Sequence, residues 1–77
     1  MENLSSLSVG QWGAVSGLRG DPAMVRRLRD LGLIEGTRVC CAFRAPSGDP
    51  AAYWIRGALI AIRDQDAAGI ALEGDAP

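Results

Sequence analysis

Between positions 21 and 33 the apolar residues recur three or four positions apart, which is the spacing of one face of an α-helix. An aspartate that can cap a helix precedes a proline suited to the first helical position, and a glycine follows the last apolar residue. The sequence therefore predicts a helix that begins at Pro22 and stops at Gly32, with Leu33 folded back on Leu28. Its apolar face consists of Met24, Leu28 and Leu31.

Elsewhere apolar and polar positions alternate over short runs, separated by glycine, proline and aspartate, which predicts β-strands joined by turns. Three strands cover about residues 11–18, 37–44 and 52–56, and a polar turn at about Asp64–Ala68 separates two more. A short helical turn carrying two leucines precedes the first strand. Many short strands and one helix in so few residues favour a small barrel over a sandwich.

The pairing of the second and third predicted strands decides which side chains face the core. The simplest hairpin register opposes Phe43 to Tyr53 and Cys41 to Ile55. Because neighbouring side chains in a strand point to opposite faces, this register sends Cys40, Trp54 and Arg56 outward together. We therefore expect an accessible Cys40 and a buried Cys41. The predicted core consists of Val15, Met24, Leu28, Leu31, Val39, Cys41, Ile55, Ile60, Ile62, Ile70 and Leu72.

Length and composition indicate one small globular domain. The chain has 77 residues, of which 48% are hydrophobic, so we expect a single domain over residues 1–77 with its core at about 4–72 and a frayed tail at Glu73–Pro77. The apolar runs are no longer than five residues, whereas a membrane-spanning helix needs about 20. The first residues lack the basic and apolar stretches of a secretory signal. We predict a soluble, cytoplasmic protein that does not insert into membranes.

Charge and residue usage exclude several kinds of chemistry. Eight arginines, no lysine and nine acidic residues give a net charge of −1, which argues against a general nucleic-acid binder. The absence of histidine removes the common catalytic triads and the commonest ligand of transition metals. Cys40 and Cys41 are adjacent, so they can neither chelate one metal easily nor form an unstrained disulfide. We predict no catalytic residue, no cofactor and no stoichiometric metal.

Two surfaces are candidates for binding a partner. The predicted helix carries Arg26 and Arg29 away from its apolar face. The outer sheet face carries Trp54 and Arg56, and tryptophan and arginine are enriched where proteins bind each other tightly. Each feature also has a simpler interpretation, as a solvated helix face and as cover for the sheet.

Four motifs in order along the chain resemble the FeoA family of small cytoplasmic proteins of bacterial ferrous iron uptake. They are Leu4-x-x-Leu7-x-x-Gly10, Arg27-Leu28-x-x-Leu31-Gly32-Leu33-x-x-Gly36, Ala45-Pro46-x-Gly48-Asp49-Pro50 and Arg56-Gly57-x-x-Ile60-Ala61-Ile62-Arg63-x-x-Asp66-Ala67. The resemblance extends from about Leu4 to Leu72. Cys40, Cys41 and Trp54 lie outside the family pattern, so the resemblance gives them no role.

The resemblance implies a mostly β fold, a small SH3-like barrel with a helical insertion after the first strand. It also implies a non-enzymatic accessory protein that binds FeoB, the membrane GTPase-transporter of the same system, from the cytoplasmic side. Self-association is left open. An alternative is a stand-alone metal-responsive regulatory module, similar to the C-terminal SH3-like domain of iron-dependent repressors and using Cys40 or carboxylates as ligands. An RNA-binding barrel is a third hypothesis, but the chain lacks the charge and stacking aromatics expected of one.

Overall fold

A computed structural model describes residues 2–73. These residues form strands and helices in the order β1 (Glu2–Asn3), β2 (Trp12–Leu18), α1 (Pro22–Asp30), β3 (Arg38–Arg44), β4 (Ala51–Ile55), β5 (Ala58–Ile62), α2 (Asp64–Ala67) and β6 (Ile70–Glu73). A 3-10 turn at Leu4–Ser6 follows β1. The mostly β prediction is confirmed, with the helix α1 placed after the first long strand. The predicted polar turn before β6 is the short helix α2.

All six strands of the described residues join one antiparallel sheet in the order β1-β6-β2-β3-β4-β5. The β2–β6 register shifts between Val15 and Gly17, and a glycine inside a strand often marks such an irregularity. Glu73, expected in a frayed tail, instead pairs with Ala14 as part of β6. The rest of that predicted tail lies outside the described residues.

Helix α1 begins and ends as its sequence predicts. The Asp21 side chain accepts a hydrogen bond from the backbone N of Met24 at 3.2 Å. After the helix, Gly32 adopts a φ of 107°, and the backbone N of Leu33 donates to the carbonyl of Leu28 at 3.0 Å. This left-handed stop returns the chain to the core. Within residues 2–73, no helix is long and apolar enough to span a membrane.

Most of the predicted core is confirmed. Its members Val15, Leu28, Val39, Cys41, Ile55, Ile62, Ile70 and Leu72 are buried in one cluster, against which Met24 and Ile60 pack while partly buried. Leu31 was expected inside and is 43% exposed, because the chain reverses immediately after it and Leu33 fills the space beneath the helix. Leu4, Leu7, Leu33, Ala51, Tyr53 and Ala67 complete the buried cluster.

A β-bulge in β3 overturns the predicted register of the β3–β4 hairpin. The observed pairs are Val39 with Ile55, Cys41 with Tyr53 and Phe43 with Ala52, with a shift between Cys41 and Phe43. An extra residue in one strand reverses the alternation beyond it. Phe43 is therefore 54% exposed instead of inward. Arg44 turns inward in its place, and its guanidinium donates to the carbonyls of Ser5 and Leu7 at 3.0 and 2.7 Å.

Candidate docking groove on the outer face of the sheet

Four side chains form a row across the outer face of the sheet. The strand registers pair Trp12 with Cys40, Cys40 with Trp54, and Trp54 with Leu59. Directly opposed residues of antiparallel strands point to the same face, so the two tryptophans flank the cysteine. Trp12 is 46% exposed and Trp54 is 44% exposed. An apolar row that remains open to solvent is typical of a surface that binds another molecule.

Arg38 lies beside this row, two residues before Cys40 on β3. Its guanidinium carbon Cζ is 5.3 Å from the centroid of the Trp12 ring. A cation at this distance over an indole face is attracted by the negative face of the ring. The contact holds Arg38 and Trp12 side by side on the surface.

Arg56 reaches the same place from the turn between β4 and β5. Arg56 and Gly57 form this two-residue connection, with φ values of 51° and 83°. Two successive positive φ values are the pattern of a type I′ hairpin turn, which matches the twist of the paired strands. A Cβ on Gly32 would clash with Cδ of Arg56. The stem of Arg56 therefore packs against the chain that leaves α1 at Gly32, where a φ of 107° already favours glycine.

These residues enclose an open depression of about 470 Å³, lined by Trp12, Arg38, Trp54, Arg56 and Gly57. We call it the Trp12–Trp54 groove. Its volume is in the range of sites that bind small ligands or single side chains, roughly 300–1,000 Å³. The lining combines two aromatic faces with two cations and contains no carboxylate. Such a site can hold an apolar group next to a negative charge.

Cys40 lies beneath the tryptophans and is not accessible. The prediction of an exposed Cys40 is wrong, because Trp12 and Trp54 on both neighbouring strands cover it and leave it 6% exposed. Burial raises the pKa of the Cys40 thiol above its ordinary value of 9.0, and the adjacent Cys41 raises it further. Cys40 therefore stays a neutral thiol near pH 7. The prediction that Cys41 is buried is confirmed.

The predicted binding residues fall into two places. Trp54 and Arg56 meet in the groove, whereas Arg26 and Arg29 are exposed on α1 and do not line it. Sequence reasoning did not connect Trp12 and Arg38 with this site. Alternation along β2 could have placed Trp12 outward, opposite in direction to Val15, but only the pairing of β2 with β3 brings it to Trp54.

A second, smaller depression of about 190 Å³ lies between α1 and the β5–α2 segment. Its lining has mixed charge and consists of Arg27, Leu28, Leu31, Ala61, Ile62, Arg63 and Asp66.

Within the described part of the chain, the acidic residues near α2 do not form a metal site. Asp64 begins α2, and its backbone N donates to Oδ1 of Asp49 at 2.9 Å. Among residues 2–73, no group of three or more His, Cys, Asp or Glu side chains is arranged to hold a metal ion.

The fold defines a small SH3-like protein, and the groove on its sheet is a candidate docking site. Solved structures with the same fold include the FeoA protein of Chlorobium tepidum, 37% identical with a TM-score of 0.87 over 92% of this chain and 68% of that one. The FeoA-like protein of Clostridium acetobutylicum is 28% identical, with a TM-score of 0.84 over 92% and 83% of the two chains. FeoA of Stenotrophomonas maltophilia, solved with zinc, is 25% identical, with a TM-score of 0.85 over 95% and 91%. That protein is described as a prokaryotic SH3 domain protein, and the SH3-like prediction is confirmed.

The family is established by a match to the FeoA domain over residues 2–74. The chain belongs to the FeoA family, which is associated with ferrous iron transport and is not a known class of enzymes. A manganese-dependent transcriptional repressor is 22% identical, with a TM-score of 0.82 over 91% of this chain and 35% of that one, a likeness that shows the fold alone. No curated protein matches the sequence.

Proposed function

We propose that this protein is a non-enzymatic accessory protein of ferrous iron uptake that binds the FeoB-type membrane GTPase-transporter on its cytoplasmic side and modulates its assembly or activity. Membership of the FeoA family supports the link to iron transport. FeoA of S. maltophilia is described as a possible bacterial ferrous iron transport activating factor. The observation that carries the proposal for this chain is the exposed Trp12–Trp54 groove with its two arginines.

The groove is a better docking surface than the arginine face of α1. Tryptophan and arginine in a concave patch can be fully desolvated by a partner, and such residues commonly cost 2 kcal/mol or more of binding free energy when truncated. Arg26 and Arg29 are exposed on a convex helix surface. Contacts of this kind contribute about 0–1 kcal/mol each and weaken with salt.

A binding assay with purified, detergent-solubilised FeoB-type transporter from the same organism tests the proposal. We expect Trp54→Ala to weaken binding about thirtyfold, which corresponds to about 2 kcal/mol. Phe43→Ala is the matched control, because Phe43 is an exposed aromatic residue of β3 outside the groove. We expect it to bind like the parent. The paired Arg26→Ala and Arg29→Ala variant should lose less than Trp54→Ala.

The second measurement is iron uptake by cells that lack the chromosomal gene for this protein and express each variant instead. Circular dichroism shows whether each variant is folded. Trp54→Ala should reduce uptake and Phe43→Ala should restore it. If the parent protein does not bind the transporter, the accessory role is wrong. If Trp54→Ala and the paired arginine variant both bind and support uptake like the parent, neither surface is the docking site. The purified protein should not hydrolyse GTP.

The alternative, a metal-responsive regulatory module, finds no specific support in this molecule. Its likeness to the manganese-dependent repressor is one of fold. Cys40, one of the ligands that this hypothesis offers, is buried as a neutral thiol, and the carboxylates of the described residues do not gather into a group of three or more. Elemental analysis of the purified protein tests it directly. We expect far less than one metal ion per chain, and one bound ion per chain would favour the alternative.

A further inference from the structure

We propose that the Trp12–Trp54 groove recognises an extended, acidic segment of its protein partner, in which an apolar side chain lies two residues from a carboxylate on the same face of the segment. This inference rests on the proposed function for the identity of the partner. It adds the chemistry of the partner segment that the groove binds.

The apolar half of the groove fits one inserted side chain. Trp12 and Trp54 lie on β2 and β4, with β3 between them. Strands in a sheet are about 4.8 Å apart, so the backbones of the two tryptophans are roughly 10 Å apart. Cys40 lies between them beneath the indoles, so the walls of the slot are the indoles themselves. A leucine or proline side chain has the size to fill such a slot between two indoles.

The cationic half of the groove is suited to bind a carboxylate of the partner. Arg38 and Arg56 both line it. Among the side chains of residues 3–73, the Arg44 guanidinium donates hydrogen bonds, and no carboxylate oxygen lies within 4.0 Å of Arg38 or Arg56. Both are exposed, and the Arg38 guanidinium lies over the Trp12 ring while the Arg56 stem packs beside Gly32. Guanidinium groups positioned in advance bind carboxylates through short, charge-assisted hydrogen bonds.

The spacing of the two halves indicates an extended segment. Arg38 precedes Cys40 by two residues on β3, which is about 6.6 Å along a strand. An extended partner chain covers the same distance with two residues, whose side chains point to the same face, so an apolar residue and an acidic one two positions away can reach both halves. The net charge of −1 on the whole chain favours such a local contact over a polyanion such as RNA, which needs a wider cationic surface.

Tryptophan fluorescence gives a direct measurement, because both tryptophans of the chain lie in the groove. The probes are a capped hexapeptide in which a serine separates each leucine from the next glutamate, so that both lie on one face when the peptide is extended, the matched peptide with lysine in place of glutamate, and an eight-nucleotide oligothymidine. We expect the acidic peptide to change the emission and to bind at least about tenfold more tightly than the basic peptide. Binding of the acidic peptide should weaken when the salt concentration is raised about tenfold, from about 0.05 M to about 0.5 M, because salt screens the contact between carboxylate and guanidinium.

Arginine variants identify the groups responsible. Arg38→Gln and Arg56→Gln should each weaken binding of the acidic peptide by about tenfold. Arg19→Gln removes the same charge from an exposed residue outside the groove, so it should bind like the parent. Equal binding of the acidic and basic peptides, or equal loss in Arg19→Gln and Arg38→Gln, would overturn the inference. Tighter binding of the oligothymidine than of the acidic peptide would also overturn it, in favour of nucleic acid.

The transporter separates this inference from the proposed function. If the transporter binds the parent protein but the acidic peptide does not compete and Arg38→Gln binds it normally, the accessory role stands and the chemistry inferred for the groove is wrong. If the acidic peptide binds as expected but the transporter does not, the groove chemistry stands and the proposed partner is wrong.

Discussion

Tyr53 illustrates how one atom can reduce the stability of an otherwise well-packed core. Its ring is fully buried, and its hydroxyl lies near the Arg44 guanidinium but makes no hydrogen bond of good geometry with the side chains of residues 3–73. Removing such a group also removes the cost of its desolvation. We expect Tyr53→Phe to leave the free energy of unfolding at pH 7 unchanged or to raise it by about 1 kcal/mol, whereas Tyr53→Ala should lower it by about 3–5 kcal/mol. Urea unfolding measures both. A loss above about 1 kcal/mol in Tyr53→Phe would show that the hydroxyl has a partner.

The parent protein and Tyr53→Phe should also differ in stability at alkaline pH. Burial raises the pKa of Tyr53 above its ordinary value of 10.0, although the positive charge of nearby Arg44 opposes the rise. The unfolded chain therefore releases this proton at lower pH than the folded one, and folding loses stability as the pH rises through the folded pKa. Tyr53→Phe has no proton to lose there. From about pH 9 to about pH 11 its stability should fall less than that of the parent.

Cys40 offers a residue-level test of the tryptophan row. Because Trp12 and Trp54 cover it and burial raises its pKa, iodoacetamide should label it slowly at neutral pH. Trp54→Ala removes half of the cover, so labelling of Cys40 should become at least about tenfold faster while Cys41 remains protected. Peptide mapping by mass spectrometry distinguishes the two thiols, and Phe43→Ala is the control. Faster labelling of Cys41 than of Cys40 would show that the β3 register is shifted by one residue.

At the scale of single elements, α1 provides a matched pair of leucines. Leu28 is buried and joins the helix to the core, whereas Leu31 is exposed at the helix end. Leu28→Ala should lower the free energy of unfolding by about 2–5 kcal/mol because it leaves a cavity, and Leu31→Ala should cost less than about 1 kcal/mol. Denaturant unfolding followed by circular dichroism compares the two. Similar losses would mean that α1 packs through a different face.

Local signals and long-range pairing explain which elements the sequence could predict. The cap at Asp21, the apolar spacing and the stop at Gly32 all act within α1, so they were sufficient to place it. The bulge in β3 depends on packing beneath the sheet. There the Arg44 guanidinium donates hydrogen bonds to the backbone carbonyls of Ser5 and Leu7, which follow β1. No periodicity in β3 itself indicates that contact, and the hairpin register was therefore wrong.

The candidate site shows the same division. Trp54 and Arg56 could be predicted on one outer face because they are close in sequence and alternate with buried residues. Trp12 joins them only through the pairing of β2 with β3 and of β3 with β4. Arg38 belongs to the site because its guanidinium stacks on Trp12. A groove assembled from three strands requires the sheet order, which the alternation within each strand does not contain.

At the scale of the whole molecule, charge is unevenly distributed along a chain that is nearly neutral. Residues 19–44 carry six arginines against three acidic residues, whereas residues 45–77 carry two arginines against five. The excess positive charge includes Arg26 and Arg29 on α1 and Arg38 in the groove. Such an arrangement can orient the protein toward a negatively charged partner before contact, which affects association more than dissociation.

Binding kinetics with the immobilised transporter should separate the two roles. The paired Arg26→Ala and Arg29→Ala variant should lower the association rate constant by about two- to fivefold at low salt. That difference should fade at about 0.15 M salt, where the Debye length is only about 8 Å. Trp54→Ala should instead raise the dissociation rate constant by about thirtyfold and retain that effect at every salt concentration, because it removes a desolvated apolar contact. If the paired arginine variant instead dissociates about thirtyfold faster at 0.15 M salt while Trp54→Ala behaves like the parent, α1 is the docking face and the groove is not.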